Sequence, residues 1–319
     1  MSSFSTEVKN ELSRITADDA CCRIAELAAL MRMGASMSIG SNMNLGINFS
    51  TENPAIARKT LTLLKESFKL KTEVVVSRAR RLKKNNSYLI RVVPAPAVSE
   101  LLTTLGIMRG DNLNVSSDEG LLRKTCCRHA YLRGAFLGGG SVSRPEGDYH
   151  LELVTGNEGF ATTLVNLFKK FELPVGITDR KNDSVVYLKD SEAIMDFLSI
   201  VGAEEAIVEF EVARNVKDVR NQVNRLVNCE TANLQKTVNA AVRQVGRIKL
   251  IEAKIGLGKL PDNLKEVALL RLEHPQANLQ ELVAANENKI GKSGMNHRLR
   301  KLEQIAVDLI EGEENGLKE

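Results

Sequence analysis

Tryptophan is absent, and aromatic residues make up only 4% of the 319-residue chain, which argues against the stacking platforms that hold single-stranded nucleic acids. No apolar run reaches the ~18 residues of a membrane span, so no transmembrane helix is expected. Cysteine is sparse, and its odd count of five in a long chain implies reduced thiols and a cytoplasmic protein. The amino-terminal stretch reads as an amphipathic helix with Phe4, Val8, Leu12 and Ile15 on one face, not as a signal peptide. Charge of one sign is also lacking: 44 basic and 40 acidic residues leave a net +4, so only local clustering can point to a polyanionic partner. P-loop, dinucleotide and metal-spacing motifs are missing, and neither a cofactor nor a metal is expected.

What is present begins with a repeat. Cys21-Cys22-Arg23 recurs 105 residues later as Cys126-Cys127-Arg128, and CCRIAELAALMRMGASMS lies without a gap over CCRHAYLRGAFLGGGSVS. Downstream, INFSTENPAIARKTLTLLKESFKL parallels LELVTGNEGFATTLVNLFKKFELP: an alternating strand, a Thr-x-Asn turn, then an apolar-periodic helix. A β-rich stretch closes each unit. The order helix, strand pair, helix, strand pair therefore occurs twice, which predicts one pseudo-symmetric α+β domain and not a solenoid, for which three or more repeats are needed.

The duplicated helix resembles that of LAGLIDADG homing endonucleases, whose two copies pack through small residues and end by presenting an acid to metal and DNA. Ala28, Ala29, Gly34, Gly134, Gly138, Gly139 and Gly140 would permit the close approach. The positions matching the metal-binding acid are Gly34 and Gly139, and neither offers a ligand. The resemblance thus implies the fold without the cleavage, and no catalytic residue is assigned. The paired cysteines read as structural packing, because adjacent thiols lack C-x-x-C spacing and four of them would need close approach to bind one ion. His129, His150, His274 and His297 form no motif together.

The carboxy-terminal third changes character. Between residues 212 and 256 stand Arg214, Lys217, Arg220, Arg225, Lys236, Arg243, Arg247, Lys249 and Lys254 against Asp218, Glu230 and Glu252, a basic connecting helix or helix pair that either touches DNA backbone or is simply solvated. Pro261 starts a helix that Pro275 stops, a short helix covers about Leu279 to Ala285, and a polar turn runs from Asn286 to Lys292. The last helix, KSGMNHRLRKLEQIAVDLI, takes Ser293 as its N-cap, with Met295, Leu299, Leu302, Ala306 and Leu309 as a buried stripe. Ser293, His297, Arg300 and Lys301 fall opposite that stripe, flanked by Asn296 and Arg298, with Lys292 just ahead. Arg and Asn read base edges, while Lys and Ser favour phosphates. No acid occurs between Lys289 and Lys301, so these turns suit an anionic groove.

The segment LPDNLKEVALLRLEHPQANLQELVAANENKIGKSGMNHRLRKLEQIA resembles the carboxy-terminal module of the WhiA family, a helix-turn-helix similar to the promoter-reading region of sigma factors. With RNQVNRLVNCETANLQKT and the degenerate pair ahead of it, the resemblance covers nearly the whole chain. It implies a duplicated LAGLIDADG-like domain over 1–205, a helical connector over 206–256 and an all-α DNA-binding domain over 257–319. It further implies a nucleoid-associated transcription regulator on promoter or operator duplex DNA, linked to sporulation or to cell division and chromosome segregation. A second DNA surface is expected at Arg78, Arg80, Arg81, Lys83 and Lys84, where the alternative is a solvated hairpin. Two other readings stay open: a scaffold whose duplicated domain binds a protein, and a residual endonuclease using acids such as Asp111 or Asp118.

Overall fold

The computed structural model describes residues 3–78, 86–110, 112–116 and 119–316 and divides the chain into two units between Asp218 and Val219. In the first, α1 (Phe4–Arg14) precedes α2 (Ala20–Gly34), β1 (Ala35–Ile39), β2 (Leu45–Thr51), α3 (Pro54–Ser67), β3 (Thr72–Arg78) and β4 (Asn86–Val92). The helix α4 (Ala97–Thr104) and a ribbon of β5 (Met108–Arg109) and β6 (Asn112–Leu113) lead to the second copy. There α5 (Thr125–Gly139), β7 (Gly140–Val142), β8 (Leu151–Thr155), α6 (Glu158–Lys170), β9 (Gly176–Arg180) and β10 (Asp183–Leu188) repeat the order, closed by α7 (Ser191–Val201). The doubled helix-strand-strand unit expected from the repeat is present. The helix that ends each copy, α4 or α7, was not expected.

Local chemistry explains the matching elements. In both copies the asparagine of Thr-x-Asn caps the next helix: the Asn53 side chain accepts from the Ala55 and Ile56 amides, and that of Asn157 from the Phe160 amide. The threonine two residues earlier accepts from the asparagine's own amide, at 3.2 Å for Thr51 and 3.3 Å for Thr155. Each strand set forms a four-stranded antiparallel sheet, β1-β2-β4-β3 and β7-β8-β10-β9. Alternation then buries one face: Ile47, Phe49, Ile90 and Val92 in the first sheet, Leu151, Leu153, Val186 and Leu188 in the second.

The two repeat helices meet through their small residues. A Cβ on Gly134 would lie 2.1 Å from the Glu26 carbonyl oxygen, and one on Gly138 would lie 2.5 Å from the Met33 Cβ. Only glycine allows backbones this close. Gly139 ends α5, and Gly140 enters β7 directly with an extended φ of −87°. Their size, not left-handed freedom, is what matters. Between the copies lies a fully buried carboxylate, Glu26, whose oxygens sit 3.2 Å from Lys59 Nζ and 3.3 Å from an Arg133 Nη. Arg133 also donates to the Val201 carbonyl and Lys59 to that of Ile15, so three charges and two backbone carbonyls meet at one point, with the Arg133 Nε buried without a hydrogen bond.

The expected basic connector is a single helix, α8 (Glu204–Lys254), not a helix pair. In the first unit its Arg214 pairs with Glu192 at 3.0 Å, and Lys217 donates to the Gly147 carbonyl. Every residue from 218 to 236 is exposed. In the second unit a short turn at Leu257–Lys259 precedes α9 (Asp262–Glu273), α10 (Leu279–Ala285) and α11 (Lys292–Gly316). Ile248 and Ile251 of α8 share one core with Leu264, Val267, Leu282, Met295, Leu299 and Leu302. Among the described residues, no helix is long and apolar enough to cross a membrane.

Candidate nucleic-acid interface

The second unit is built to present α11. Its short support helix α10 would be marginal alone. A reciprocal capping box holds it: the Asn278 side chain accepts from the Gln280 and Glu281 amides, and Glu281 reaches back to the Asn278 amide at 2.7 Å. Behind it, the buried Arg271 guanidinium donates to the Ala277 carbonyl at 2.6 Å and anchors the loop after α9. The turn between α10 and α11 places Glu287 and Asn288 at positive φ, 53° and 58°, and buries Asn286 with its amide on Glu266. This reverses the chain in a few residues.

One expectation is corrected here. Ser293 is not the N-cap of α11, because the helix starts at Lys292 and the Met295 amide already bonds the Gly291 carbonyl at 3.0 Å. Glycine takes the cap, and Ser293 rides on the first turn with its side chain exposed. The stripe Met295, Leu299, Leu302 and Ala306 is buried as expected, and Leu309 is half-buried. Lys292, Ser293, His297, Arg300 and Lys301 are exposed together on the opposite side. Asn296 and Arg298 are half-buried at its margins, and Arg298 points an Nη toward the Asn263 carbonyl at 3.5 Å. Lys289 is held above its ordinary ammonium value by the hydrogen bond and charge of Glu287, 3.0 Å away.

The first unit presents different chemistry. On the solvent faces of its sheets, Arg91 stands 4.0 Å from Glu73, and Arg180 and His150 stand 3.5 and 3.1 Å from Glu152. Each of these three basic groups faces an acid. Gly34 and Gly139 terminate the paired helices where an acid would have to project, but a Cβ at 139 would meet the Val154 carbonyl oxygen at 2.8 Å and one at 34 would meet the Phe49 ring at 2.9 Å. Neither glycine offers a ligand atom at the helix end. Arg78 ends β3 opposite Asn86, while Arg80, Arg81, Lys83, Lys84, Asp111 and Asp118 lie outside the described residues.

What spacing along the chain did not reveal is a sulfur cluster. Cys21, Cys22, Cys126 and Cys127, one pair at the start of each repeat helix, lie with all four sulfurs within 4.8 Å of one another. Cys22 and Cys127 are buried, consistent with packing, but Cys126 is exposed. Burial raises the Cys127 thiol to about 11 and Cys22 further, whereas the Cys127 hydrogen bond lowers Cys21. The signal in the sequence was the repeat itself, since equivalent positions on two packed helices meet near the pseudo-symmetry axis.

Comparison with known proteins accords with this division. Family models match residues 20–108 as the WhiA N-terminal LAGLIDADG-like domain, 128–220 as the WhiA LAGLIDADG-like domain and 223–306 as the WhiA C-terminal HTH domain. A Desulforamulus reducens protein named "Probable cell division protein WhiA" is 51% identical, covering 99% of each chain. One of the same name from Clostridium acetobutylicum is 46% identical over 96% of this chain and 98% of its own. The crystal structure of full-length DUF199/WhiA from Thermatoga maritima aligns with a TM-score of 0.57 at 25% identity, covering 96% of this chain and 99% of that one. With three matching domain models and near full-length relatives at about half identity, this chain belongs to the WhiA family.

Proposed function

We propose that this protein is a sequence-specific, double-stranded-DNA-binding transcription regulator without nuclease activity, serving cell division, chromosome segregation or sporulation. The observation that carries the reading is the acid-free first turns of α11, where Lys292, Ser293, His297, Arg300 and Lys301 are exposed opposite a buried apolar stripe. Such a helix laid in the major groove offers Arg300, His297 and the marginal Asn296 to base edges, while Lys292, Ser293 and Lys301 take phosphates. Arg298 serves as a flanking contact. The names of the relatives, probable cell division proteins, support the cellular setting, and the helix-turn-helix model supports DNA as the ligand. The absence of cleavage rests on the glycines at 34 and 139. A nucleoid location follows from the same reading.

A protein partner on the duplicated domain is a second reading, favoured by Val74, Val75 and Val76 exposed on the edge strand β3. The test incubates the full chain with fragmented genomic DNA in Mg²⁺ at several salt concentrations and scores retention, cleavage and enrichment together. Enriched, uncut fragments are expected. Arg300→Ala and His297→Ala should each weaken specific binding by about 1–3 kcal/mol with the fold intact. Wild-type affinity in both variants would remove the reading face, and Mg²⁺-dependent cuts would restore the endonuclease.

A further inference from the structure

We propose that Cys21, Cys22, Cys126 and Cys127 form a tetrathiolate site for a single zinc ion that clamps the first turns of α2 and α5. A tetrahedral zinc with bonds of about 2.3 Å holds its sulfurs roughly 3.8 Å apart. The four sulfurs here are all within 4.8 Å of one another, so sub-ångström shifts of side chains close the site. Mutual proximity of all four is the relation of ligands around one ion. A disulfide instead draws sulfurs together in twos, to about 2.05 Å.

The surroundings fit a soft dication. Four thiolates and Zn²⁺ leave a net charge of −2, and the Lys124 Nζ lies 3.9 Å from the Cys21 sulfur to offset part of it. Both cysteine pairs sit in the first turn of their helices, where the positive end of the helix dipole favours thiolates. An entry path exists: Cys126 is exposed, and a cavity of about 680 Å³ lined by Cys21, Ile24, Thr104, Leu121, Lys124 and Cys127 opens beside the cluster. Binding replaces four S–H bonds with four S–Zn bonds and releases four protons, without any change of oxidation state. Sulfurs this close surround one ion and leave no room for a multi-iron cluster.

The consequence is mechanical. The two helix starts come from different repeats, so the ion would tie the copies together at one end while Glu26, Lys59 and Arg133 tie them further along. Nothing in this clamp depends on α11 or on DNA, and it stands or falls separately from the regulatory reading.

The test uses the full chain purified anaerobically under reductant. One zinc per chain is expected by elemental analysis, and cobalt exchanged into the wild type should give the strong near-ultraviolet sulfur-to-metal bands and visible pattern of a tetrahedral four-thiolate centre. Cys126→Ser should cut metal retention at least tenfold against a competing chelator, whereas Cys229→Ser, on exposed α8, should leave it unchanged. Zinc should also protect the four thiols, but not Cys229, from alkylation. Reduced wild-type protein that retains no zinc and shows no cobalt–thiolate bands overturns the site. So does undiminished metal in Cys126→Ser, or peptide mapping that finds disulfides between the cysteine pairs in metal-free protein kept under reductant.

Discussion

A single carboxylate shows how much one residue can hold together. Glu26 is fully buried and is tolerated only because Lys59 and Arg133 face it, one from α3 and the other from the opposite repeat. Glu26→Gln keeps the shape but leaves two buried cations without a counter-charge, and it should cost about 3–5 kcal/mol in urea unfolding. Lys9 is a reverse case. Burial pulls its ammonium down from 10.5 to about 8, so the folded chain binds fewer protons than the unfolded chain between those values. Its destabilising contribution is complete below about pH 8 and is relieved as pH rises toward 10.5. Lys9→Met should stabilise the protein at pH 7 and flatten the rise in stability measured between pH 8 and 10; a wild-type slope in the variant would refute the assignment.

Element by element, the caps and helix ends decide where structure starts and stops. Asn157 holds the first turn of α6 through the Phe160 amide, and Asn157→Ala should lower the thermal midpoint by the equivalent of about 1 kcal/mol. Gly139 is the harder boundary. An aspartate there meets the Val154 carbonyl, so Gly139→Asp should lose about 1–3 kcal/mol and still fail to nick plasmid DNA in Mg²⁺. Cleavage by that variant would show that one added ligand is enough to make a nuclease site there. At α11 the helical period placed the buried stripe and the exposed polar face correctly from sequence. The cap was misread because Ser293 has the better capping side chain, yet the chain reverses through positive φ at Glu287 and Asn288 and enters the helix at Lys292.

For the molecule as a whole, the duplicated unit and the helix-turn-helix unit carry different surface chemistry. If α11 is the reader, Lys301→Ala should weaken binding evenly across sequences and lower the slope of log affinity on log salt by about 1, measured by fluorescence titration. An unchanged slope would take Lys301 off the phosphates. The sequence by itself determined the duplicated α+β order, the missing acids, the helix-turn-helix and its polar face, because periodicity, capping residues and a 105-residue repeat are local or self-referential signals. Only the tertiary structure decided what meets across the repeats: Glu26 with Arg133, Gly134 against a backbone carbonyl, and four cysteine sulfurs in one place. Those contacts join residues about a hundred positions apart, and their distances are set by how closely two glycine-lined helices pack, which no spacing along the chain encodes.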